Sequence, residues 1–136
     1  MDHISLLKKF DLKATPQRLC VLSVLSEHKH PNIDELYESI KNYYPSISLA
    51  TVYKNLATLM DKGLVVEVNM PNQKTKYDIY EYPHIHIVCE NCGHVEDMIF
   101  EDGSMENFQK NLERKLSNFV EKFNVVASVK TCKHCS

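Results

Sequence analysis

Tyr82-Pro83-His84-Ile85-His86-Ile87-Val88-Cys89-Glu90-Asn91-Cys92-Gly93-His94 sets four potential metal ligands, His84, His86, Cys89 and Cys92, within nine residues. The alternation from His84 to Val88 predicts a strand, in which residues i and i+2 share a face, so both imidazoles point the same way. Cys89 has the opposite parity. Two metal sites are therefore expected, an imidazole site on one side of the strand and a thiolate site beyond its end. Pro83 cannot donate to a sheet and ends the strand before it. Glu81-Tyr82-Pro83 thus reads as a linker between a first domain, residues 1–80, and a second, residues 84–136.

The 136 residues, 43% of them apolar, suit one ordinary domain or two small ones. Met1-Asp2-His3-Ile4-Ser5 opens no apolar leader, and no apolar run approaches the ~20 residues of a membrane span. A cytoplasmic protein is expected. Its five cysteines are an odd number, and cytosolic thiols stay reduced, so two Cys-x-x-Cys pairs point to metal rather than to disulfides. Residues 1–80 hold ten Lys/Arg and nine Asp/Glu, whereas residues 81–136 hold six and nine. The first part is the candidate nucleic-acid surface, because phosphate contact depends on local clustering and not on totals. Acidity in the second part suits cation binding.

Ile4, Leu7 and Phe10 predict a short amphipathic helix. Thr15 can cap a second, with Pro16 in its first turn, and Leu19-Cys20-Val21-Leu22-Ser23-Val24-Leu25 reads as a buried central helix in which Cys20 is a core residue. Asn32-Ile33-Asp34-Glu35 resembles a capping box, and Ile33, Leu36, Tyr37 and Ile40 follow helical spacing. Ser48 can cap a fourth helix with an apolar stripe of Leu49, Val52, Leu56, Leu59 and Met60, ended by Gly63. Two helices joined by a short turn, the second carrying Thr51, Lys54, Asn55 and Thr58 with Tyr53 at their flank, match a helix-turn-helix. Leu64–Val68 and Thr75–Tyr80 then form a hairpin, so the first domain is expected to be a winged helix. Arg18, Lys74 and Lys76 are its candidate phosphate contacts. The plainer alternative is a helical bundle with a solvated polar face.

In the second domain, His94–Phe100 predicts a returning strand, and Met105, Phe108, Leu112, Leu116, Phe119 and Phe123 predict one helix. A last strand, Val125–Val129, leads to Cys132-x-x-Cys135. Cys89, Cys92, Cys132 and Cys135 supply four thiolates with no open position, the ligand set of structural zinc. A redox dithiol and unmetallated thiols are the alternatives. His84 and His86 with nearby carboxylates suit an exchangeable iron, manganese or zinc ion. Asp78 and Asp97 are the nearest carboxylates, and His30 can close the site from the first domain, in which case metal would fix the angle between domains. Solvated or core histidines are the plainer reading.

Thr15-Pro16-Gln17-Arg18, Ser48-x-Ala50-Thr51-Val52-Tyr53-x-x-Leu56, His84-x-His86-x-x-Cys89-x-x-Cys92-Gly93 and Cys132-x-x-Cys135 together resemble the ferric uptake regulator family over almost the whole chain. The resemblance implies an α+β fold, with an N-terminal winged helix-turn-helix that binds a palindromic DNA operator and a small C-terminal α/β domain that dimerises and holds the four-cysteine zinc. It implies DNA contacts from Arg18, Ser48, Ala50, Thr51, Tyr53, Lys54, Asn55, Thr58, Lys74 and Lys76. The regulatory iron or manganese ligands map onto His30, Asp78, His84, His86 and Asp97. Glu96 adjoins Asp97, and His28 competes with His30 for one place. Pro83 and Ile85 stand where the iron-sensing branch carries a longer His-His-Asp-His run, Val126-Ala127-Ser128 stands where it often has a His pair, and Asp97 stands where its ligand is more often Glu. These departures favour the peroxide-stress branch, which implies that iron-dependent oxidation of His30 or His84 releases metal and DNA.

Three other readings compete. A zinc deaminase needs His-x-Glu before Pro-Cys-x-x-Cys, and His84-Ile85-His86 lacks that Glu, so no enzyme is expected. A thiol switch at the four cysteines would oxidise the zinc site instead of a histidine. An iron-responsive repressor of the same family would use the same regulatory ligands without oxidation.

Overall fold

The computed structural model describes residues 2–27 and 30–135. His28 lies outside them. Two compact units divide the chain, Met1–Ile79 and Tyr80–Ser136.

Unit 1 contains α1 (His3–Lys9), α2 (Pro16–Glu27), α3 (Ile33–Lys41), α4 (Leu49–Asp61), β1 (Val65–Val68) and β2 (Lys76–Ile79). Its helix starts follow from local chemistry. The Thr15 hydroxyl accepts from the Arg18 amide at 3.2 Å, and Ser48 accepts from the Thr51 amide at 3.1 Å. Asn32 and Glu35 form the reciprocal capping box. Gly63 stops α4 with φ of 80°, where its amide bonds Met60 O and the Leu64 amide bonds Leu59 O. That is the paired closure for which a left-handed residue is needed. Leu22, Leu36, Val52, Leu56 and Leu59 are fully buried at the centre of fifteen buried side chains. Two expected stripe members face outward, Ile4 and Leu49. Leu6 takes the inward place on α1, and Leu49 sits in the first turn of α4, before the helix meets its core.

β1 and β2 pair antiparallel, Val65 opposite Ile79 and Val68 opposite Lys76. The segment before α3 joins the outer edge of β2: Asn32 bridges Lys76, and the Tyr77 amide donates to Pro31 O at 2.9 Å. This third partner fixes His30 beside the hairpin.

Unit 2 contains β3 (Ile85–Cys89), β4 (Val95–Met98), α5 (Ser104–Leu116) and β5 (Val125–Val129). The sheet order is β4-β3-β5, with β3 antiparallel to β4 and parallel to β5. A parallel neighbour needs a long crossover, and the chain between β4 and β5, which includes α5, supplies it. β3 starts at Ile85, so His84 immediately precedes the strand. The expected helix is also shorter: Ser117 adopts a left-handed φ of 52° and ends α5, after which Glu113 accepts from the Val120 amide at 2.8 Å. Phe119 and Phe123 therefore lie beyond the helix, and Phe119 is 86% exposed. No helix among the described residues is long and apolar enough to cross a membrane.

Candidate metal centres

Two tight turns converge on the four-cysteine cluster. Cys89 ends β3, and Gly93, at φ of 77°, lets its amide return to Cys89 O at 2.9 Å. β5 aligns Val129 with Cys89, and Val129 O accepts from the Glu90 amide at 2.8 Å, so the downstream pair arrives in register. The sulfurs stand 3.6 Å apart for Cys89 and Cys135, 3.5 Å for Cys92 and Cys132, and 3.7 Å for Cys132 and Cys135. Sulfurs held ~2.3 Å from one tetrahedral zinc are ~3.8 Å apart, so the cluster has zinc dimensions. The Asn91 side chain holds the Cys135 thiol down at about 6. Partial desolvation, with hydrogen bonds among the sulfurs, pushes Cys132 up to about 12. Four crowded thiols compete for protons, and a dication that takes them all as thiolates removes the conflict.

The imidazole centre in unit 2 is built from β3, β4 and the approach to them. His84 and His86 are 5% and 0% exposed, and their Nε2 atoms are 3.0 Å apart. Asp97 lies opposite His86 in the β3–β4 register, and its Oδ1 is 3.7 Å from His84 Nε2 and 3.6 Å from His86 Nε2. The outer nitrogens each face an oxygen acceptor. His84 Nδ1 meets the Tyr82 carbonyl at 2.7 Å, which can only accept, and His86 Nδ1 meets Asn124 Oδ1 at 3.2 Å. A neutral ring with its proton on Nδ1 would present an Nε2 lone pair to the other ring and to a carboxylate. Three electron-rich atoms facing one point repel unless a cation lies between them. Adjacent octahedral ligands at ~2.1 Å are ~3.0 Å apart, which matches the imidazole pair. The Tyr80 ring packs on His84, with centroids 4.8 Å apart.

A second His/Asp pair lies in unit 1. His30 and Asp78 are 6% and 8% exposed, and His30 Nε2 is 3.6 Å from Asp78 Oδ2. His30 has a left-handed φ of 58°, a conformation that histidine tolerates better than most residues, and the Pro31–Tyr77 bond anchors it.

The candidate DNA residues all lie in unit 1. Ser48, which caps α4, and Ala50, Tyr53 and Lys54 on the helix are exposed. Thr51 is half-buried and shares a 2.9 Å bond with Ser48. Asn55 and Thr58 are also half-buried, and each donates to a carbonyl of its own helix, Asn55 to Thr51 O and Thr58 to Lys54 O, both at 3.1 Å. Leu49 and Ala57 are also exposed on α4. Arg18 Nη1 donates to Lys13 O at 2.9 Å, and Lys74 pairs with Asp34. Lys76 is half-buried in β2. Asn124 also escaped the sequence reading, because no spacing ties it to a histidine 38 residues away.

The sequence profile described as the ferric uptake regulator family matches residues 9–127. A peroxide-responsive repressor, PerR, of Staphylococcus epidermidis is 37% identical over 97 residues, which cover 71% of this chain and 65%, just under two thirds, of that relative. The PerR of Staphylococcus aureus strain Mu50 is 31% identical over 135 residues, 98% of this chain and 89% of that relative. The crystal structure of the Campylobacter jejuni peroxide stress regulator is 59% identical, covers 99% of this chain and 100% of its own, and superposes with a TM-score of 0.80. The ferric uptake regulator of Pseudomonas aeruginosa, solved with manganese, is 29% identical over 98% of this chain and 100% of its own, with a TM-score of 0.71. With a profile match over most of its length, this chain belongs to the ferric uptake regulator family.

Proposed function

We propose that the protein is a dimeric, metal-dependent repressor of peroxide-stress genes that senses peroxide by oxidation of a regulatory-site histidine. Members of its family are metal-responsive transcription regulators rather than enzymes, and they bind DNA as dimers. Residues 1–80 serve as the winged helix, with α4 entering the major groove of a palindromic operator. Residues 81–83 are the linker, and residues 84–136 form the dimerisation domain stapled by zinc on Cys89, Cys92, Cys132 and Cys135. The observation that carries the reading is the meeting of two Nε2 lone pairs with the Asp97 carboxylate in unit 2. His30 and Asp78 complete this nitrogen and oxygen set from unit 1, so that metal binding favours the DNA-competent arrangement of the two units.

Ferrous iron bound there would supply the one-electron chemistry that activates peroxide, which manganese does not readily do. The histidines provide the oxidisable carbon: one oxygen of peroxide adds to the ring of His30 or His84 and the other leaves as water, a two-electron oxidation of the imidazole. The oxidised ring is a poorer donor. The remaining four ligands then hold the ion less tightly, and the DNA-competent state loses its support. The identity with the Campylobacter jejuni peroxide stress regulator, 59%, favours this branch over iron sensing.

The test uses zinc-containing protein loaded separately with ferrous iron and manganese, with DNA selected from a random duplex pool by the manganese form. Stoichiometric peroxide should abolish DNA binding by the iron form alone and add one oxygen to a His30 or His84 peptide. Intact histidines with DNA affinity tuned by iron would establish an iron sensor instead, and disulfides with zinc release would move the switch to the cysteines.

A further inference from the structure

The two imidazoles of the unit 2 centre are held from behind by unlike acceptors. His84 Nδ1 meets a backbone carbonyl, Tyr82 O, fixed by the chain itself. His86 Nδ1 meets a side chain, Asn124 Oδ1, at 3.2 Å. Asn124 stands one residue before β5, whose Val126 lies opposite His86 in the parallel register. Its amide therefore reaches β3 from the neighbouring strand, and the residue before it, Phe123, packs on Phe108 of α5 with centroids 5.8 Å apart.

We propose that Asn124 is a positioning residue for the regulatory ion: it holds the Nδ1 proton of His86, keeps Nε2 as a lone pair aimed at the ion, and by its neutrality keeps that ion exchangeable. This inference rests on the regulatory-metal reading above. A neutral imidazole can carry its proton on either nitrogen, and only the Nδ1–H form can ligate through Nε2. An acceptor on Nδ1 selects that form and fixes the ring plane, as outer partners of metal-bound histidines commonly do. A carboxylate in this place would add negative charge and make the ring a stronger donor, whereas an amide orients without that increase. Asn124 is itself exposed, so water can replace part of its function. The effect of its loss therefore belongs near the lower end of the range for such partners, about tenfold in metal affinity.

The experiment compares wild type, Asn124→Ala, Asn124→Asp and His86→Ala by manganese titration, with zinc content and circular dichroism verifying the fold of each. Long-range proton–nitrogen correlation spectra of the manganese-free proteins report the His86 tautomer directly. Asn124→Ala should weaken manganese binding about tenfold and convert His86 from the Nδ1–H form to a mixture, while Asn124→Asp should restore or exceed wild-type affinity. Wild-type affinity in Asn124→Ala, with binding lost in His86→Ala, would overturn the inference and leave the regulatory site standing. Unchanged binding in His86→Ala would remove the regulatory reading and this inference with it. A predominant Nε2–H tautomer in wild type would overturn the inference alone.

Discussion

Stripping zinc, or replacing Cys132 and Cys135 with serine, should unfold unit 2 while unit 1 persists. The magnitude follows from the two cores. Among the described residues of unit 2, Val88, Val95 and Met105 are the buried large apolar side chains, with Cys89 beside them. At ~1.5–3 kcal/mol each, the three contribute a gross ~5–9 kcal/mol. Ordering backbone costs ~1–2 kcal/mol per residue, so fixing the five residues of β3 alone offsets most of that gain. Structural zinc in small domains contributes on the order of 10–16 kcal/mol, more than this core can spare. Among its described residues, unit 1 has fifteen buried side chains in one cluster, a core several times larger. Hydrogen exchange read by mass spectrometry on zinc-loaded and zinc-free protein is the assay. Amides of β3, β4 and β5 should lose protection together, whereas those of α2 and α4 should keep it. Retained protection of β3 and β5 without zinc would refute the argument that the thiolate cluster, rather than apolar burial, holds unit 2 together.

Three further outcomes follow from single contacts. Leu56→Ala empties a fully buried site in unit 1 and should cost ~2–5 kcal/mol of unfolding free energy in denaturant titration, with unit 2 protection unchanged. Ser48→Ala removes the acceptor of the Thr51 amide and should cost about 1 kcal/mol, measured the same way, with faster amide exchange confined to the first turn of α4. Asp97→Ala deletes the carboxylate between the two imidazoles; manganese affinity should fall by at least tenfold while four-cysteine zinc content stays at one per chain, as read by elemental analysis and manganese titration.

The sequence made visible what depends on neighbours along the chain. Thr15, Asn32, Ser48 and Gly63 act within a turn of themselves, so the starts and stops of the unit 1 helices were readable from residue type. The same holds for the Cys-x-x-Cys pairs and for the shared face of His84 and His86. Features set by register or by packing direction were not readable. Residue type named Asp97 as the nearest carboxylate with Glu96 beside it, but its placement opposite His86, against both imidazoles, follows from the β3–β4 register. Asn55 and Thr58 carry the polarity expected of an outward face, yet short side chains on a helix can turn back to its carbonyls, and both do. The apolar spacing from Met105 continued through Phe119, but Ser117 takes a left-handed conformation and breaks the helix.

β3 carries one ligand set at each end, His86 near its start and Cys89 at its close, and that placement couples the two centres mechanically. The strand is bonded on one side to β4, which presents Asp97, and on the other to β5, which leads to Cys132 and Cys135. Zinc bound across Cys89 and the downstream pair, as proposed, would lock the β3–β5 register that also sets the distance from Asn124 to His86. A β3–β5 pair slipped by one residue would reverse which of their side chains share a face, turning Asn124 away from His86 while the β3–β4 pairing of His86 with Asp97 stays in place. On this account the zinc site does not need to sense anything to matter for regulation. Under the proposed function it would hold the strand register in which the exchangeable ion finds its ligands, so damage to the cysteines and damage to a histidine should both release that ion, the first by loosening the strand and the second with the strand intact.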